Sequence, residues 1–189
     1  FENFFEQLEE LMQQNLSLDM DRLGKLKQFL FTFTDFASGH RNMMRILLRE
    51  IIEGQKFMTL AMCQGDEPYL VTLSYGYDPE QACFYFHCAQ AGRKVDVLTA
   101  NPVVWGQIVE DRGYLPGQCD HAFRTVQFRG RVTFLEGMEE KRHALALMVD
   151  VLEPDPGPVK ERLLVDKRVG PVRVGKVTVE LMTGKQSPI

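Results

Sequence analysis

The chain lacks most of the patterns that announce a simple function. Its four cysteines, Cys63, Cys83, Cys88 and Cys119, contain no Cys-x-x-Cys pair, and His40, His87, His121 and His143 show no metal-ligand spacing with them. That argues against a zinc site or a disulfide framework, and for free thiols in a reducing cytoplasm. Basic residues are outnumbered 22 to 26 by acidic ones, a net charge of -4, so the broad basic face that nucleic acid needs is missing. No apolar run reaches the roughly 18 residues of a membrane span. Glu2, Glu6, Glu9 and Glu10 interrupt the opening segment, which therefore does not read as a secretory signal. No internal repeat is visible.

What is present is enough for one domain with an appendage: 189 residues, 44% of them hydrophobic. Residues 1–40 carry a helical period, with Phe1, Phe4, Phe5, Leu8, Leu11 and Met12 as one stripe and Leu23, Leu26, Leu30 and Phe33 as a second. Their polar faces are acidic, which favours packing on protein over an anionic lipid surface. A third helical stripe, Met44 to Ile52, ends near Gly54.

From Phe57 the period becomes that of strands. Strands are expected at Phe57 to Cys63 and Pro68 to Tyr75 across a hairpin turn Gln64-Gly65-Asp66-Glu67, then at Ala82 to Cys88, Val103 to Glu110, Phe123 to Leu135 and Val172 to Met182. Gly130 marks a bend or bulge in the fifth. A polar loop is expected over Asp111 to Asp120, a short helix from Arg93 to Ala100, and a longer one from Met138 to Leu152, broken by Pro154, Pro156 and Pro158. The expected architecture is mainly β (α+β): a six-stranded split barrel over 41–189, with a helical extension over 1–40 and short peripheral helices.

The most informative segment is Phe84 to Lys94. An aromatic strand passes through the small residues Ala89 to Gly92 into a helix start, where unpaired N–H groups and the helix dipole favour an anion. Arg93 and Lys94 add two full charges there. His87, at the strand end, has two readings: a structural residue bonded to its surroundings, or a proton donor, since its pKa lies near neutrality. Tyr75 and Tyr77 line either a cavity or the core, and Arg129 with Arg131 reads best as a solvated face.

The run Pro68 to Asp78, the segment Phe84 to Lys94, Asn101-Pro102, Arg124 to Arg131, Glu140-Lys141 and Met182 to Lys185 occur in an order that resembles the FMN-binding split-barrel superfamily. That superfamily includes pyridoxamine 5'-phosphate oxidase, and the chain is most similar to its nitroimidazole-resistance (Nim-type) branch. The resemblance implies an FMN-binding homodimer with two flavin sites at the interface, and a flavin-dependent oxidoreductase acting on a small-molecule substrate or electron acceptor. It implies that Arg93 and Lys94 hold the FMN phosphate and that Val71, Thr72, Leu73 and Ser74 run beside the flavin ring. It also places Thr125, Trp105, Gln107 and His87 near the cofactor, with His87 as the catalytic candidate. The chain departs from many relatives in lacking a proline near Thr72, and from the biosynthetic oxidase in lacking the full phosphopyridoxal pattern. Two other classes stay open: a non-catalytic flavin module or redox sensor, and a haem-binding split barrel using His87 or His121 as an axial ligand.

Overall fold

The computed structural model describes Glu10 and residues 47–187, so the expected helices of residues 1–40 lie outside the described residues. A helix, α1, covers 47–54. The rest runs β1 (Phe57–Gln64), β2 (Glu67–Ser74), β3 (Gly76–Asp78), β4 (Cys83–Cys88), α2 (Arg93–Ala100), β5 (Val103–Leu115), β6 (Asp120–Phe134), α3 (Met138–Leu152), α4 (Pro156–Leu163), α5 (Asp166–Val169) and β7 (Arg173–Gln186). The strands form one antiparallel sheet in the order β2-β1-β5-β6-β7-β4-β3. It stays open, with β2 and β3 at its edges, as a split barrel does.

The expected fold class holds, with local differences. The seventh strand is the three-residue β3, too short for a period of two to register, and it directly follows β2. The segment 111–120 is not a loop throughout: β5 continues to Leu115 and β6 starts at Asp120, pairing Tyr114 with His121 after a bulge. The prolines do end α3, but Pro156 also opens α4, where a fixed φ and a missing N–H suit the first turn. The β1–β2 hairpin pairs Gln64 with Glu67 around a two-residue turn, with Gly65 at φ +61°. The bulge expected at Gly130 is present: the β6–β7 register slips between Arg129 and Gly130, leaving Glu180 as the extra residue.

Two hydrophobic layers hold the sheet. The interior contains Leu60, Tyr75, Phe84, Phe86, Ile108 and Phe128, all fully buried. Phe84 stacks on Phe128 with centroids 4.4 Å apart and meets Tyr75 edge-on at 5.5 Å. Tyr75 donates its hydroxyl hydrogen to the Ile52 carbonyl at 2.6 Å, which fastens α1 to the sheet. Tyr77 leans on Phe84 at 4.9 Å, so both tyrosines serve the core. The second layer lies under α3, where Cys83, Tyr85, Leu135, Ala144 and Val174 meet. Strand alternation therefore commits Phe84 and Phe86 to one layer and Cys83 and Tyr85 to the other.

Asn101 joins elements across the sheet. Its side-chain amide donates to the Cys63 carbonyl at 3.0 Å and its Oδ1 accepts from the Val103 amide at 3.1 Å. That fixes where α2 ends and β5 begins. Gly106 leaves room for the Phe128 ring, into which a Cβ at that position would run directly. Gly106→Ala should therefore displace Phe128 from its stack and cost about 1–3 kcal/mol or more of stability, seen as a lower urea midpoint. An unchanged midpoint would show that the core yields there without strain.

Candidate functional site

The turn from β4 into α2 is built around Gly92. It sits at φ +131° with no atom within contact range of a would-be Cβ, a backbone state that an L side chain rarely adopts. Its carbonyl accepts from the Val95 and Asp96 amides at 2.8 and 3.1 Å. The amides of Arg93 and Lys94, in the first turn of α2, have no acceptor inside the helix. The Arg93 guanidinium lies 4.6 Å over the Tyr69 ring and donates to Glu67 at 2.5 Å. Lys94 sits with its ammonium 5.7 Å from the Phe86 ring centroid. The Arg93–Glu67 pair is exposed on both sides, and such pairs contribute about 0–1 kcal/mol. A doubly charged anion can therefore compete with Glu67 for Arg93.

The other expected contacts divide between the two faces of the sheet. Val71 and Leu73 pack against the core, while Thr72 and Ser74 alternate to the outer face. Since β2 is an edge strand, part of its backbone N–H and C=O groups lies outside the sheet's ladder and can serve a ligand. Register extends Thr72 into a polar row, Thr72–Thr59–Gln107–Gln127–Thr183, in which the Thr59 and Thr72 hydroxyls stand 3.2 Å apart. The neighbouring row is Leu70–Ala61–Trp105–Arg129–Leu181. Thr125 pairs with Val109 and Lys185; it is buried, and its hydroxyl donates to the Lys185 carbonyl at 3.4 Å. Arg124 beside it is held by Glu110 and Glu50, whose hydrogen bonds raise its pKa further.

His87 sits apart from these rows. It follows Tyr85 on the face of β4 that packs toward α3, and it lines a cavity of about 530 Å³ among the helices after β6. Partial desolvation of the imidazole, then the nearby Lys94 charge, lowers its pKa below the ordinary value. The imidazole is thus neutral at pH 7, and its protonation on acidification opposes folding. His121 is committed to Asp111, with Nε2 2.7 Å from the carboxylate on an exposed hairpin. His143 likewise meets Asp78 at 2.9 Å. Burial would raise the Asp78 pKa, but the His143 bond and the Gln81 and Glu80 amides lower it overall. No group of three metal-ligating side chains occurs among the described residues.

The turn from β4 into the helix at Arg93 is legible in the sequence because it is local. Glu67 and Tyr69 as the neighbours of Arg93 are not, although Glu67 is visible as the end of a hairpin turn. Nor is the cavity, whose walls come from four separate segments.

Comparison with known proteins agrees with this fold. The pyridoxamine 5'-phosphate oxidase family profile matches residues 47–186. Among solved structures, a candidate 5-nitroimidazole antibiotic resistance protein from Bacteroides thetaiotaomicron superposes with a TM-score of 0.60 at 28% identity, over 72% of this chain and 80% of that one. An FAD-binding protein from Mesorhizobium loti gives 0.55 at 21% identity, over 76% and 94%. An FAD- and haem-binding protein from Mycobacterium smegmatis gives 0.64 at 14% identity, over 77% and 72%; these last two likenesses speak for the fold alone. A search of curated proteins returns no match. With the profile spanning nearly the whole sheet from α1 to the end of β7, the chain belongs to the pyridoxamine 5'-phosphate oxidase family.

Proposed function

We propose that this protein binds FMN as a homodimer and works as a flavin-dependent reductase of a small molecule. The observation that carries the reading is the pair Arg93 and Lys94 at the Gly92-led start of α2, beside the hairpin that bears β2. Two cations and two first-turn amides suit a dianionic phosphate. The free edge of β2, together with Thr72, Ser74 and Gln107, suits the polar rim of a flat ring, and Trp105 offers an apolar surface beside it. Thr125, two residues from Gln127 on β6, is the remaining contact carried by resemblance. The chemistry a bound flavin supplies is electron transfer between a donor and an acceptor; the protein orients it and sets the local charge.

Dimerisation has support in the outer face of the sheet. Phe57, Leu70, Trp105, Val109 and Leu181 are exposed there, on either side of the polar row that runs from Thr72 to Thr183, and a face of mixed apolar and polar side chains of this kind suits a protein partner. The free thiols of Cys63, Cys83, Cys88 and Cys119 favour a reducing compartment such as the cytoplasm.

Replacing Arg93 and Lys94 together by Ala removes two charge-assisted contacts of about 1.5–3 kcal/mol each. FMN binding should weaken at least about a hundredfold, with riboflavin, which lacks the phosphate, much less affected. Equal losses for both ligands would assign the pair to folding.

Leu181→Glu places a charge in the apolar face. Sedimentation of the variant should show monomers where the parent chain shows dimers; an unchanged dimer would put the interface elsewhere.

His87 is the proposed proton-transfer group, although it lies on the α3 side of β4; as a neutral imidazole it would take up a proton from solvent before passing it to the acceptor. His87→Ala should keep FMN bound while slowing acceptor reduction per bound flavin by about 10²-fold. An unchanged rate per flavin removes His87 from the chemistry, and a parent protein that reduces no acceptor makes it a flavin-binding module.

A further inference from the structure

The cavity beside His87 has the make-up of a ligand site in its own right. At about 530 Å³ it falls within the roughly 300–1,000 Å³ of small-molecule pockets. Leu145, Met148, Val149 and Leu152 of α3 form one apolar wall, and Val159 and Leu163 of α4 form another. The walls are tied together. Lys160 of α4 bridges to Asp150 of α3 at 2.6 Å, and Arg142 of α3 donates to the Leu164 carbonyl at 3.1 Å.

Charge is confined to a few positions. Lys167 and Arg168 of α5 and Glu153 after α3 are the charged lining residues, with His87 beside them. The acid adjacent to the two cations, Asp166, is taken by Arg142. Lys167 and Arg168 themselves enter no ion pair among the described residues. Two cations against one carboxylate leave a single positive charge, because the lowered pKa of His87 keeps its imidazole neutral at pH 7.

We infer that this cavity binds an organic monoanion with an apolar body and a carboxylate end, the body against α3 and α4 and the carboxylate at Lys167 and Arg168. A net charge of one suits a carboxylate better than a dianionic phosphate, and the apolar walls exclude a wholly polar ligand. The inference shares His87 with the proposed reaction and does not rest on FMN binding.

Calorimetric titration of the full chain with decanoate and with decan-1-ol tests it. Decanoate should bind at one site per chain, about tenfold or more tighter than the alcohol, since only the acid makes charge-assisted contacts. Lys167→Ala with Arg168→Ala, both on the exposed rim, should reduce decanoate to the level of the alcohol. Val149→Trp, which fills the cavity, should abolish binding of both while FMN binding stays as in the parent. The inference is overturned by the absence of saturable decanoate binding, by equal affinities for acid and alcohol, or by decanoate affinity that survives the double Ala substitution. Thermal melts of each variant separate loss of the site from loss of the fold.

Discussion

Much of this structure depends on the burial of β4 on both faces. Phe84 and Phe86 fill the interior while Cys83 and Tyr85 point the other way, and all four are buried. A strand of this kind needs two apolar layers, so α3 is required to cover the second face. It also needs space on its neighbour. Phe86 lies opposite Gly175 of β7, where any Cβ would run into the ring. Each fully buried Phe contributes roughly 1.5–3 kcal/mol, enough to hold β4 at a fixed depth. Because β4 cannot slide, its exit at Cys88 delivers the Gly92 turn and the two cations of α2 to one place beside the β1–β2 hairpin.

The same double burial explains why the exit of β4 offers different chemistry on its two sides. Past Phe86 the strand leaves the core, and His87 emerges on the side of α3 while Lys94 curls back over the Phe86 ring. One short segment thus faces a cationic helix start in one direction and an apolar cavity in the other. The outer face of β1, β2, β5, β6 and β7 is a third surface, part polar row and part exposed apolar patch. On that outer face several charges neutralise one another locally. Arg129 and Arg131 both reach Glu180, the extra residue of the β7 bulge, so an arginine pair that looks solvated in the sequence is anchored by a backbone irregularity.

Legibility followed the range of the interactions. Met138–Leu152 could be read to the residue because its apolar side repeats at helical spacing between Gly137 and Pro154, and the Arg93 helix because its start signal is local. The β1–β2 hairpin was visible from Gly65. The three-residue β3 carried no usable period. The tips of β5 and β6 were hidden because Asp111 to Asp120 carries no alternation of apolar and polar residues and pairs in solvent. At the site, Arg93 and Lys94 were apparent, but Glu67 and Tyr69 reach them only through the fold. The row joining Thr72 to Gln107 exists only through Thr59 of β1, a long-range register that no local pattern encodes. The cavity is hidden for the same reason, since α3, α4, α5 and β4 each present an ordinary apolar or charged residue until packed together.

The visible absorption spectrum of the purified full-length chain, with chromatographic identification of whatever pigment heat releases, tests the flavin assignment most directly. The cation pair at α2 and the free edge of β2 predict a flavin doublet and released FMN, or uptake of FMN by colourless protein when it is supplied. A Soret band without flavin, or protein that stays colourless in excess FMN, would contradict it.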